Sequence, residues 1–102
     1  MGKNIAVLQD EDRRLVILRL LIEVGGSANE SVLKDGLEQL GHFAGLTRDT
    51  VREHMQFLAD RGLIKLTWFG DKVAVAKITR RGVEIAEGRD TVEGVKKPAI
   101  GE

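Results

Sequence analysis

The stretch Leu46-Thr47-Arg48-Asp49-Thr50-Val51-Arg52-Glu53-His54-Met55-Gln56-Phe57-Leu58-Ala59-Asp60-Arg61-Gly62-Leu63-Ile64 decides how the chain is read. Thr47 is a natural N-cap, because its hydroxyl can accept from an amide of the first turn. Val51, Met55 and Leu58 then recur at helical spacing with Ala59 beside them, and Gly62 stops the helix, so a helix is expected over 48–61. Leu46 plugs the turn before it, and Leu63-Ile64 open a strand after it. Leu63 to Trp68 and Val73 to Ile78 are rich in β-branched residues around Phe69-Gly70-Asp71-Lys72, which predicts a hairpin. Burial of Leu46, Val51, Met55, Leu58, Leu63 and Ile64 in one cluster is the expectation that follows.

Upstream, Asp10 to Val24 reads as a helix with Asp10, Glu11 and Asp12 at its start, where the helix dipole favours negative charge, and Gly25-Gly26 at its end. Asp12, Arg19 and Glu23 form one polar stripe, and Arg13 and Arg14 form a second polar patch. Nearly all other positions are Leu, Ile or Val, so this helix must bury more than one face. It is either central or part of a dimer interface, with Leu15, Leu18 and Ile22 as candidate contacts. Ser27-Ala28 suits a very short strand. Ser27 and Asn29 compete to cap a second helix, whose apolar positions are Val32, Leu33, Leu37 and Leu40 and whose stop is Gly41. A linker, 42–46, leads into Thr47. Thr79 caps a last short helix over 80–87, stopped by Gly88. Residues 89–102, with the sole proline Pro98, form a tail to a domain spanning 1–88.

The chain has 102 residues, 42% of them apolar and 31% charged, which suits one globular domain with a modest core. It contains no cysteine, which excludes disulfides, thiolate zinc sites, iron–sulfur clusters and cysteine nucleophiles. His42 and His54 stand twelve apart without clustered carboxylates, so no metal site is expected, and no cofactor either. Gly36 and Gly41 are not followed by the Lys-Ser/Thr of a phosphate loop, and no catalytic motif is present, so an enzyme is not expected. The longest apolar stretch, Leu15 to Val24, is interrupted by Arg19 and Glu23 and falls well short of the roughly 20 residues of a membrane span. A cytoplasmic protein is expected.

Helix, helix, linker, helix, hairpin is the element order of a winged helix-turn-helix domain: α+β, mainly α, with a three-helix core, a β-hairpin wing and a short C-terminal helix. Leu46 to Ile64 resembles the recognition helix and first wing strand of MarR- and ArsR-type regulators, and Ile78-Thr79-Arg80-Arg81-Gly82-Val83-Glu84-Ile85-Ala86 resembles the exit from such a wing. A resemblance to small winged-helix proteins of Mu-like bacteriophages and prophages covers nearly the whole chain. Its residues are Glu11-Asp12-Arg13-Arg14-Leu15, Ala28-Asn29-Glu30-Ser31-Val32-Leu33, Leu40-Gly41-His42, Arg48-Asp49, Val51-Arg52 and Val92-Glu93-Gly94-Val95-Lys96-Lys97-Pro98. It implies a phage-encoded protein in a bacterial host cytoplasm and brings no catalytic residues. The cysteine-based metal sensing of many ArsR proteins is excluded.

On the DNA-binding reading, Arg48 and Arg52 reach guanine edges or phosphates of double-stranded DNA, Thr47 and Thr50 bond phosphate, and the wing contributes Lys72. A homodimer is expected. Two features favour a protein-binding adaptor instead, with a phage or host protein as partner. The sixteen basic and sixteen acidic residues cancel, and Asp49, Glu53 and Asp60 occupy the outward face of the third helix, where carboxylates repel phosphates. Trp68 and Phe69 at the wing tip either fold back on the core or anchor a dimer or partner contact.

Overall fold

Capping side chains set where each helix begins in the computed structural model, which describes residues 2–99. Asn4 accepts a hydrogen bond from the Val7 amide at 2.9 Å and starts α1 (Ile5–Glu23) five residues before the expected Asp10. Asp10, Glu11 and Asp12 therefore lie inside the helix and not in its first turn. Ser27–Asn29 form β1, one residue longer than expected. Asn29 wins the capping competition, accepting from the Val32 amide at 2.9 Å, and α2 follows (Glu30–Gln39). Thr47 caps α3 (Arg48–Asp60) through the Thr50 amide at 3.1 Å, with Arg61 as the C-cap instead of the last helical residue. The hairpin strands are β2 (Ile64–Phe69) and β3 (Val73–Ile78), and Thr79 caps α4 (Arg80–Ala86).

The result is an α+β fold, about half helical, with a three-stranded antiparallel sheet in the order β1-β3-β2. Ala76 of β3 stands between Ala28 of β1 and Leu66 of β2. The small side chains Ala74 and Ala76, at most 1% exposed, let the helices approach the sheet closely.

The core is built around α1. Leu15, Ile17, Leu18 and Leu21 are at most 1% exposed and pack with Leu33 and Leu37 of α2, Val51, Met55 and Leu58 of α3, Ile64 of β2 and Ile85 of α4. The expected cluster from Leu46 to Ile64 is buried together. Each such side chain contributes about 1.5–3 kcal/mol by leaving water. Of the two alternatives for the first helix, the central position is the one found. That corrects Leu15 and Leu18 as candidate dimer contacts, because the protomer's own core consumes them; Ile22 remains on the surface. Val32 and Leu40, expected on the apolar side of α2, are also exposed, so the apolar side chains that α2 buries are the narrow Leu33 and Leu37 stripe.

Arg13 and Arg14 are not a solvated patch. Arg13 is 3% exposed and donates to the Ala44 carbonyl at 2.6 Å, tying α1 to the segment before α3. Arg14 donates to the Gly94 carbonyl at 2.9 Å, and the Lys96 amide donates to the Glu11 carbonyl at 3.1 Å. The described part of the tail thus lies along α1, with Val95 buried and Val92 half-buried. Gly94 is required there. Its φ is +95°, and a Cβ would stand 2.2 Å from the Phe57 ring. Met1 and the last three residues of the expected tail, 100–102, lie outside the described residues. Among the described residues no helix is long and apolar enough to cross a membrane.

Candidate nucleic-acid interface

The capped first turn of α3 brings Thr47, Arg48 and Thr50 together on one edge of the molecule. The Thr47 and Thr50 hydroxyls are 2.9 Å apart, and Arg48 is exposed, reaching the Ser31 hydroxyl of α2 at 3.3 Å. One turn further along, Arg52 Nη2 donates to the Lys72 carbonyl at 2.6 Å, which holds the hairpin turn Gly70-Asp71-Lys72 beside the helix. All five residues expected to bind DNA therefore share one edge.

Arg52, however, has a different role from the one expected. Its Nε donates to Glu30 Oε2 and its Nη2 to Glu30 Oε1 at 2.8 Å, while the guanidinium lies 5.2 Å from the Trp68 ring centroid. Glu30 is 1% exposed and also accepts from the Ala74 amide at 3.2 Å. The Arg52 bonds, led by its side-chain hydrogen bonds, hold the Glu30 carboxyl below the usual carboxylate range against the opposing effect of burial. Arg52 is thus a clasp joining α2, α3 and the hairpin. The assignment of Arg52 as a guanine reader is corrected to that extent, because the groups that would make a bidentate base contact are already engaged.

The outward face of α3 beyond Arg48 is acidic, as expected from the sequence. Asp49, Glu53 and Asp60 are exposed, and Gln56 donates to Asp60 at 2.8 Å. Asp49 sits in the first turn, where the helix dipole stabilises it. Trp68 and Phe69 do not fold back on the core; they are 46% and 62% exposed, with Val73 beside them at 38%. Trp68 pairs with Ala74 on the helix-facing side of the hairpin and Phe69 with Val73 on the other, so the two aromatics straddle the tip.

Behind α3 lies a second polar cluster. His54 is 3% exposed, and its Nδ1 accepts from Arg14 Nε at 3.2 Å. This bond places the neutral ring's proton on Nε2, which has no hydrogen-bond partner among the described residues; Asp10 stands 3.6 Å away. The Arg14 and Arg61 guanidinium groups lie 3.7 and 3.3 Å from the Phe57 centroid. Burial first, then the positive charges of Arg14 and Arg13, lower the His54 pKa from 6.5 to about 4, with Asp10 opposing. His54 is therefore neutral when folded and protonates only in the unfolded chain between those two values. The contribution of His54 to stability is full above about pH 6.5, falls as the pH drops toward 4, and levels off below. Allowing for residual solvent screening, the loss is roughly 2 kcal/mol. Urea titrations at stepped pH will show this slope in the native chain and not in His54→Gln; equal slopes would count against it. Among the described residues no group of His, Asp and Glu is arranged to hold a metal ion.

No family model matches the chain. The uncharacterized protein gp26 of Escherichia phage Mu is 44% identical over 88 residues, covering 86% of this chain and 88% of gp26. An uncharacterized protein of Haemophilus influenzae is 45% identical over 71 residues, covering 70% of this chain and 68% of its own length. The matched length takes in most of the helical core and sheet, and the Mu-like part of the sequence resemblance is the part that these identities bear out. The chain belongs to the family of Mu-like phage proteins that includes gp26.

Proposed function

We propose that the chain is a winged-helix DNA-binding protein, a transcriptional regulator of phage origin acting in the host cytoplasm as a homodimer. The observation that carries this reading is the placement of Thr47, Arg48, Thr50 and Lys72 on one edge, with the hairpin clasped beside the capped start of α3. The strand order β1-β3-β2 and the helix between Thr47 and Gly62 are what a wing beside a recognition helix requires. The test is a salt-titrated binding assay on intergenic fragments of the phage genome that encodes the chain. Specific retention that weakens with salt is expected. Arg48→Ala should weaken binding across sequences and reduce the salt slope by about one. Failure of every fragment to bind at low salt would overturn the reading.

The dimer is tested by light scattering at about 100 μM, well above weak-dimer dissociation constants. With Leu15 and Leu18 consumed internally, the exposed apolar side chains left for a partner copy on α1 are Ile5, Val7, Leu8 and Ile22, of which Ile5 and Leu8 share a groove with Leu40, the C-cap of α2. Ile22→Asp should lower the mass without lowering monomer stability. A strictly monomeric native chain would remove the homodimer from the proposal.

A second reading, a protein-binding adaptor, is favoured by one observation: Asp49, Glu53 and Asp60 line the outward face of α3 while Arg52 is turned inward to Glu30. Glu53→Gln separates the two. It should leave DNA binding unchanged or tighten it, because a charge facing phosphate is removed.

A further inference from the structure

The hairpin tip is the most exposed apolar feature of the sheet, and the hairpin that carries it is basic as a whole, although at the tip itself Asp71 offsets Lys72. Between Ile64 and Ile78 the chain carries Lys65, Lys72 and Lys77 against one carboxylate, Asp71, although the whole chain is neutral. Lys65 and Lys77 face each other across the β2–β3 register and both are exposed. Phe69 and Val73 close the strands over the three-residue turn, and Trp68 sits on the opposite side of the tip. The turn is held rigidly: Arg52 binds the Lys72 carbonyl, lies over Trp68, and is itself held by buried Glu30.

We infer that this tip is a base-stacking wedge. Phe69 enters a base step of duplex DNA, with Trp68 on the other side of the tip, while Lys72 meets an adjacent phosphate and Lys65 and Lys77, four register positions back on the face of Phe69, meet phosphates farther out. The inference rests on the DNA-binding reading and deepens it, by moving the principal contact from α3 to the hairpin. Charge decides the matter. Three carboxylates on the outward face of α3 repel phosphate, whereas the hairpin combines lysines with aromatic faces, the pairing that binds polyanionic, stackable ligands. Apolar side chains inserted between base steps partly unstack them and bend the duplex. A short turn tied to the helix by a buried ion pair suits that task, since a wedge that gives way bends nothing.

Trp68 is the only tryptophan, so intrinsic fluorescence reports on the tip directly. The probes are a synthetic duplex of about 30 base pairs, of the size in which bending is readily sensed, and the same duplex with one mismatched pair at its centre, both carrying end dyes. Binding should quench Trp68 and bring the ends closer. The mismatched duplex should bind about tenfold more tightly, because its bases are cheaper to unstack. Phe69→Ala should abolish both the mismatch preference and the approach of the ends, and Phe69→Leu should keep most of each; circular dichroism and melting check that both variants stay folded. Suppose duplex binds with Trp68 unquenched, no mismatch preference and no response to Phe69→Ala. The wedge is then wrong while the DNA-binding reading stands. If neither duplex binds at low salt, both fall. If Phe69→Ala leaves DNA binding intact but abolishes the protein's activity in the infected cell, the tip serves a protein partner, and the wedge is overturned.

Discussion

Gly82→Ala will destabilise the protein by about 3 kcal/mol, the upper end of what overpacking costs. Local propensity argues the other way. Gly82 lies within α4, where alanine is favoured over glycine by about 1 kcal/mol. Packing reverses the sign. A Cβ at position 82 would stand 2.2 Å from the Leu63 carbonyl oxygen and 2.7 Å from Ile78 Cγ1. The Leu63 carbonyl cannot yield, because it belongs to backbone at the start of β2 and already accepts from the Thr79 amide at 3.0 Å. The α4 helix must therefore back away from the sheet, and Ile85, 2% exposed, loses its packing with it. Gly36→Ala is the internal control. Its Cβ would meet Leu20 Cδ1 at 2.8 Å, but that is the far end of a flexible, half-buried side chain that can rotate, so a change near zero is expected. Urea midpoints at constant m-value will read the difference. A Gly82→Ala protein as stable as the native chain would show that α4 is not seated against the sheet as described.

The part of the fold legible in the sequence is the part set by short-range chemistry. Thr47 and Thr79 are caps because a hydroxyl three residues before an amide can close the first turn, and both are found as such. The hairpin follows from alternation around Phe69-Gly70-Asp71-Lys72. The early start of α1 escaped because Ile5 and Leu8 are 84% and 50% exposed, so the first turns carry no core-facing period to detect. The fates of the charged residues were not legible either. Arg13, Arg14, Glu30 and Arg52 look like ordinary surface charges, and whether a charge is buried depends on a partner that only the folded chain supplies. Glu30 meets Arg52 across 22 residues, Arg14 meets His54 across 40, and Arg14 meets Gly94 across 80. No local spacing encodes such pairs. The one available signal was Glu30 itself, a carboxylate next to the capping Asn29 and in a region otherwise committed to burying Leu33 and Leu37. For the candidate site this matters: the sequence reading points Arg52 at DNA, and the Glu30 carboxylate turns it inward.

Breaking the Glu30–Arg52 clasp will loosen the hairpin and lower stability together. Glu30→Ala removes the acceptor of the Ala74 amide as well as of Arg52, and a buried donor left without a partner costs about 1–3 kcal/mol. Arg52→Ala should be the more damaging of the two. It strands a carboxylate that is 1% exposed, whereas the arginine left behind by Glu30→Ala can still turn toward water. Amide exchange should accelerate in both variants at Val73 to Val75, next to the turn that Arg52 anchors, before it does in α1. Acid titration gives an independent check. The folded-state pKa of Glu30 lies below its unfolded value, so its contribution is complete above the ordinary glutamate range and is lost as the pH falls through the lowered value. Glu30→Gln should lack that segment of the curve while retaining the slope due to His54, which lies at higher pH. If Arg52 were chiefly a base reader, Arg52→Ala would weaken DNA binding and leave urea stability, hairpin exchange and the acid curve as they are. That outcome would return Arg52 to the DNA-contacting set. The outcome expected here, loss of stability with hairpin loosening, makes any effect of Arg52 on DNA binding indirect, through the tip it holds in place.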